Sequence, residues 1–196
     1  LITETTIGWE HPGSPVIAND KIYVCTTYKV YGWDINTGDL LPNFPIEVTE
    51  VAVPDIMLDS QLTYWNNKLY FTITDEWGNT TNATYIYVKD ANNGTEIWRR
   101  HIGGGQTPAI WNGRVYVASR ATDEKIYCWD ANTGEKCENF PVSVSGWMRA
   151  MPIIENGVIY IGTGAGKFYA IDAITGEIKW VYVVTESGIE STASIW

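Results

Sequence analysis

The sequence has no uninterrupted apolar stretch of the roughly 20 residues that a membrane-spanning helix needs, so no membrane insertion is expected. It also has no cluster of Lys and Arg. Its 13 cations are scattered among 23 Asp and Glu, and the formal net charge is −10. That field repels a phosphate backbone or an anionic lipid surface, which argues against nucleic acid as a partner. Histidine is nearly absent. His11 and His101 have no second His or Cys at ligand spacing, so neither is expected to bind a metal. No Gly-x-Ser-x-Gly elbow presents a nucleophile, and no two cysteines are adjacent. The chain opens on Leu1-Ile-Thr-Glu4 without an initiator Met or a signal-peptide pattern, the mark of a processed product or of a piece of something longer.

What the chain does have is repetition. Its 196 residues suffice for one domain with a core, and 45% of them are hydrophobic. A turn recurs four times: Asp34-Ile-Asn-Thr-Gly38, Asp90-Ala-Asn-Asn-Gly94, Asp130-Ala-Asn-Thr-Gly134 and Asp172-Ala-Ile-Thr-Gly176. The Asp carboxylate can accept the backbone N–H groups just after it, and the Gly can take the positive φ that closes the loop. Upstream of each turn lies a ten-residue frame ending on Tyr23, Tyr70, Tyr116 or Tyr160, with Pro15, Leu62, Pro108 and Pro152 in register. A fifth copy begins at Ser191. With Ala193 as its counterpart, successive copies step by 47, 46, 44 and 41 residues.

A period of 40 to 50 residues holding four short strands is propeller spacing. The fold class expected is therefore all-β: a β-propeller of four-stranded antiparallel blades, about four of them, a half or partial ring. The blades fall near residues 14–60, 61–106, 107–150 and 151–190, with 1–10 and 191–196 belonging to neighbouring blades. Within a blade the innermost strand follows the Pro position, the second ends after the Tyr, the third ends on the turn Asp, and the outermost follows the turn Gly. The second copy holds a long polar insertion between its second and third strands, Asp75 to Thr84, read as surface loop.

The copies alternate. The second and fourth carry Trp98 and Trp180 four residues after the turn Gly. The first and third lack that Trp and have Asn43-Phe44-Pro45 and Asn139-Phe140-Pro141 instead. These aromatics are expected to pack as wedges between adjacent blades. The clearest copy, Val158-Ile-Tyr160-Ile-Gly-Thr163 followed by Ala170-Ile-Asp172-Ala-Ile-Thr-Gly176-Glu-Ile-Lys-Trp180, resembles the repeat of the PQQ-like β-propellers. That superfamily includes pyrroloquinoline quinone dehydrogenases and many non-enzymatic proteins. The resemblance covers nearly the whole chain, is weaker in the second repeat, and implies that Ala170, Asp172, Thr175, Gly176 and Trp180 are a docking motif between blades. It also implies rings of seven or eight blades. Four repeats are about half of that, so the chain is expected to be an excised half, one of two chains completing a ring, or a small four-bladed ring with loose ends. Open ends invite self-association.

The resemblance gives no catalytic position. Quinone enzymes of the superfamily hold the cofactor on the ring axis with a calcium ion, an Asp base and often an adjacent-cysteine disulfide, and this sequence has no Cys-Cys pair. Calcium and PQQ remain unsupported, and no cofactor is assigned. The acidic pairs Asp55/Asp59, Asp75/Glu76 and Asp123/Glu124 lack the regular spacing of a calcium loop. Gly103-Gly-Gly105 precedes a strand, not a helix, so it reads as a linker between blades.

Cysteines and Asn-x-Thr sequons remain, and the clustered sequons are what point to a secreted or cell-surface glycoprotein. Cys128 and Cys137 bracket one turn, so a cross-strand disulfide is conceivable, with Cys25 left free; three thiols packed on strands is the alternative. Asn79, Asn82 and Asn93 stand in Asn-x-Thr sequons, candidates for glycosylation. The function expected is a non-catalytic module of the extracellular space or cell surface, binding protein or ligand in an assembly. A fragment of a PQQ-dependent dehydrogenase and an envelope or periplasmic scaffold are the alternatives.

Overall fold

The structure, a computed structural model, describes residues 13–48, 56–57, 61–75, 84–119, 123–184 and 188–194. Its strands form four antiparallel sheets, arrayed in chain order. The first is built from β1 (Val16–Ala18), β2 (Lys21–Cys25), β3 (Lys29–Asp34) and β4 (Ile46–Glu47). The second contains β5 (Ile56–Met57), β6 (Thr63–Trp65), β7 (Lys68–Asp75), β8 (Tyr85–Asp90) and β9 (Glu96–His101). The third comprises β10 (Ala109–Trp111), β11 (Arg114–Ala118), β12 (Lys125–Asp130) and β13 (Val142–Ser143). The fourth comprises β14 (Ile153–Glu155), β15 (Val158–Gly162), β16 (Lys167–Asp172) and β17 (Ile178–Val183). These are propeller blades, and β1, β6, β10 and β14 stand side by side as the inner row.

The expected turn chemistry is present in every copy. The Oδ1 atoms of Asp34, Asp90, Asp130 and Asp172 each accept two backbone N–H groups, two and three residues on, at 2.8 to 3.1 Å. The N–H of Gly38, Gly94, Gly134 and Gly176 donates to the carbonyl of the same Asp at 2.9 Å. Each Gly has φ between 69° and 76°, a left-handed conformation that costs a glycine little.

Two details depart from the sequence expectation. The sequence boundaries put residues 56–57 in the first repeat, but β5 pairs with β7 of the second sheet, beyond the point where β6 ends. The long β7 has an inner edge that β6 alone leaves uncovered. The outermost strands of the first and third blades do not follow their turn Gly directly. After the single bridges Trp33↔Leu40 and Trp129↔Lys136, the chain passes through Asn43 and Asn139 at positive φ and a cis Phe-Pro bond, and only then pairs for two residues as β4 and β13. In the second and fourth blades β9 and β17 run for six residues.

The core lies between sheets rather than within them. One cluster joins the first and second blades around Tyr23, Phe44, Leu69 and Phe71. A second joins the second and third around Tyr70, Trp98 and Trp129, and a third joins the third and fourth around Tyr116, Phe140 and Ile171. Each of the first three blades buries an apolar face on its successor, and the described core residues gather at these three seams.

Candidate functional site

The side chains that the repeat places in register converge on the seams between blades. The hydroxyls of Tyr23, Tyr70 and Tyr116 donate to the carbonyls of Ala91, Ala131 and Ala173 at 2.8, 2.9 and 2.8 Å. Each acceptor is the residue directly after the next blade's turn Asp. All three tyrosines are buried, and burial raises each hydroxyl pKa, that of Tyr23 to about 12 with help from Tyr64 and Asp90 nearby. A cation opening the second strand reaches the same turn. Lys21 Nζ donates to Asn92 Oδ1, Lys68 Nζ to Asn132 Oδ1, and Arg114 to the carbonyls of Ala173 and Ile174. Sequence reasoning placed these tyrosines in the frame but assigned no role to them or to the cations. The signal was a Tyr ending every frame, an aromatic with a polar tip that needs a partner when buried.

The wedges differ in kind. Trp98 is 5% exposed, lies over the next turn, and donates Nε1–H to Ala131 at 3.3 Å. A Cβ on Gly134 would meet the Trp98 ring at 2.6 Å, so only glycine fits under it. In the first and third blades Phe44 and Phe140 sit within the clusters between blades but lie against their own sheets. Phe44 packs over Gly32 and Tyr23 of its own blade, and Phe140 lies 5.8 Å from Tyr116 of its own. Ile46 and Val142 seat on Gly94 and Gly176 in their place, with the Asn139 carbonyl also against Gly176. The Phe-Pro turn swings each ring back and brings the following aliphatic forward. Trp180 occupies the Trp98 position but is 47% exposed, because no described blade follows it. Its ring touches Phe168 and Tyr160 instead, and Phe168, Trp180, Val181, Tyr182 and Val184 line a cleft of ≈ 430 Å³.

At the inner end, residues 188–194 lie against the fourth blade. Ile189 N–H donates to Thr163, Met151 N–H donates to Thr192 Oγ1, and Arg149 pairs with Glu190 at 3.2 Å. The inner strands β6, β10 and β14 border an open groove of ≈ 570 Å³. Its lining is mostly apolar, with Pro108, Ile110, Met151 and Ile153, and among the described residues its only carboxylate is Glu155. The Thr63 hydroxyl there is bonded to the Pro108 carbonyl. A calcium ion takes six to eight oxygen ligands, so this donor set does not fit the calcium of a quinone site.

The remaining candidates scatter. Cys128 and Cys137 are joined as a disulfide, Cα–Cα 5.3 Å, while the buried Cys25 is in no disulfide and burial raises its pKa. Asn93 is exposed at the tip of its turn, and its Oδ1 accepts the N–H and hydroxyl of Thr95. Asn79 and Asn82 lie outside the described residues, as do His11, Asp55, Asp59 and Glu76. His101 stacks edge-on against Tyr85. Asp123 accepts the hydroxyls of Ser119 and Tyr127, and Gly103 is a glycine because a Cβ would strike the Asp123 carboxylate at 2.6 Å. Among the described residues no three His, Cys, Asp or Glu gather as metal ligands.

Comparison with known proteins agrees with this architecture. A family model described as "Outer membrane protein assembly factor BamB" matches residues 82–195. The outer membrane protein assembly factor BamB of Francisella salina is 24% identical over 175 residues, 88% of this chain and 32% of that protein. The quinohemoprotein alcohol dehydrogenase ADH-IIG of Pseudomonas putida is 27% identical over 143 residues, 57% of this chain and 20% of that protein. The chain thus spans a third or less of the length of these relatives. The crystal structure of BamB from Moraxella catarrhalis superposes with a TM-score of 0.62 at 19% identity, covering 86% of this chain and 47% of that one.

Proposed function

This chain belongs to the PQQ-like β-propeller repeat family described as outer membrane protein assembly factor BamB, and we propose that it is a non-catalytic binding module of that family, acting on protein partners in an assembly outside the cytosol. One observation carries the reading. The side chains that recur in register are spent on holding blade to blade, and among the described residues the groove along the inner strands has Glu155 as its only carboxylate. A surface of this kind binds by shape and apolar contact. The name of the Francisella relative supports assembly with proteins, and the cell envelope is the compartment that fits it. The Cys128–Cys137 disulfide fits an oxidising compartment. The exposed Asn93 sequon supports the finer placement at a glycosylated cell surface.

The test is reconstitution with pyrroloquinoline quinone and calcium. No change in quinone absorbance and no dye reduction are expected, and dye reduction with an alcohol would overturn the reading. Intact-mass measurement on native material tests the surface placement: hexose-bearing mass on Asn93 is expected, and an unmodified chain sinks it. A dehydrogenase fragment is the second reading, favoured by the Pseudomonas putida relative's name.

A further inference from the structure

The outer rim of a propeller is a row of edge strands, and three of the four here are blunted. β4 and β13 are two residues long and follow a proline. β9 is six residues long but carries Arg99, Arg100 and His101 in its second half. Short length and charge are how edge strands avoid pairing with other chains. β17 is different. Registers against β16 and β8 make Val181, Tyr182 and Val183 the counterparts of Arg99, Arg100 and His101. The fourth rim has an apolar residue wherever the second has a cation or His.

A following blade would not cover all of this. Trp98 and Arg100 share the face of β9 that reaches forward, since Arg100 Nε donates to the Gly134 carbonyl. Trp180 and Tyr182 therefore share the forward face of β17. Val181 and Val183 point to the opposite face, toward the third blade, which is present. They are nevertheless 44% and 65% exposed, because β13 is too short to reach them. Their exposure is a property of the rim, independent of any further blade. Among the described residues no strand pairs with the outer edge of β17.

We propose that β17 pairs with β17 of a second copy of this chain, antiparallel about a two-fold axis through Val181, joining two propellers rim to rim. The sequence of the strand selects this occupant. Lys179 is its one charged residue. In the antiparallel register Lys179 stands opposite Val183 of the second copy, Trp180 stands opposite Tyr182, and the two valines at 181 meet at the axis. No like charges face each other, and an aromatic pair forms on each side of the axis. A parallel pairing would set Lys179 against Lys179. Lys179 also lies 3.3 Å from Asp172, a part-exposed and weakly coupled pair that leaves its ammonium able to meet a charge across the seam. The pairing is independent of the partner-binding reading above.

Sedimentation velocity over a concentration series tests it, with V183K and V183E beside the native chain and far-UV circular dichroism confirming that each folds. The native chain is expected to dimerise. V183K sets two new cations opposite Lys179 of the other copy and weakens the dimer. V183E creates two cross-strand ion pairs and tightens it by roughly 2- to 30-fold at 0.2–1 kcal/mol per pair. Opposite effects from two charges at one exposed position are not explained by damage to the blade. A native chain monomeric throughout overturns the proposal, and so does a dimer that both variants leave unchanged or shift in the same direction. So does a dimer abolished by W180A but indifferent to both changes at 183, since that contact runs through the forward face.

Discussion

Trp98 and Trp180 hold the same place in the repeat, and replacing each by Ala measures what a following blade contributes. A Trp side chain presents roughly 200 Å². With Trp98 5% exposed, about 190 Å² is out of water, worth about 4.7 kcal/mol at ~25 cal/mol/Å². This lies in the range of about 3–5 kcal/mol found for Trp-to-Ala changes in cores. Trp180 is 47% exposed, so about 105 Å² is buried and the same conversion gives about 2.6 kcal/mol. The difference, about 2 kcal/mol, is the forward contact with the Gly134 turn and the Nε1–H bond to Ala131. Urea unfolding of both variants, read as a midpoint shift at constant slope, is the assay. Trp98→Ala is expected to shift the midpoint about twice as far as Trp180→Ala. Equal shifts would show that the wedge acts within its own blade and would refute the account of the seams.

Four further outcomes follow from the same contacts. Tyr70→Phe removes one of the two buried donors to the Ala131 carbonyl, the Trp98 Nε1–H remaining, and should cost about 0.5–1.5 kcal/mol by urea unfolding, while Tyr160→Phe, which loses no such bond among the described residues, should cost under about 0.5. Acid titration should reveal Asp172, whose pKa the Thr175 and Ile174 N–H groups lower to about 2. Its contribution is complete above the ordinary value of 3.8 and is lost as pH falls through 2, so Asp172→Asn should flatten the midpoint between those limits. At the alkaline end the raised hydroxyl of Tyr23 works in the other sense. Its contribution is complete below 10.0 and lost as pH rises through about 12, and Tyr23→Phe should remove that part of a spectrophotometric alkaline transition. Reducing the Cys128–Cys137 bond, which closes a loop of sequence separation 9, should lower stability by roughly 2–3 kcal/mol in denaturant melts with and without reductant.

The parts of the fold that were legible in the sequence are those written in local chemistry. The Asp-to-Gly turn announces itself because the carboxylate and its acceptor-seeking N–H groups are two and three residues apart. The propeller follows from the spacing of that turn. The seams were less legible, because their partners are far apart along the chain: each Tyr hydroxyl finds its carbonyl 57 to 68 residues away. The reversal of Phe44 and Phe140 was hidden too. The sequence shows an aromatic near the Trp position, but the backbone turn at Asn-Phe-Pro decides which side chain goes forward. Gly103 lies in the linker between β9 and β10, as the sequence suggests, but the Asp123 carboxylate against it is a contact across 20 positions that no local pattern reports.

The tyrosine bonds all run one way, from a second strand to the turn of the blade that comes next. The array is therefore a polar polymer with a donor end and an acceptor end. A blade added at the donor end must arrive with its turn leading, and a blade turned about would present its own hydroxyl to another hydroxyl and find no carbonyl. Growth or closure of such an array is directional in the same sense as head-to-tail polymerisation. A swapped or duplicated blade can be accepted wherever it keeps that direction, which makes the single blade the natural unit of exchange.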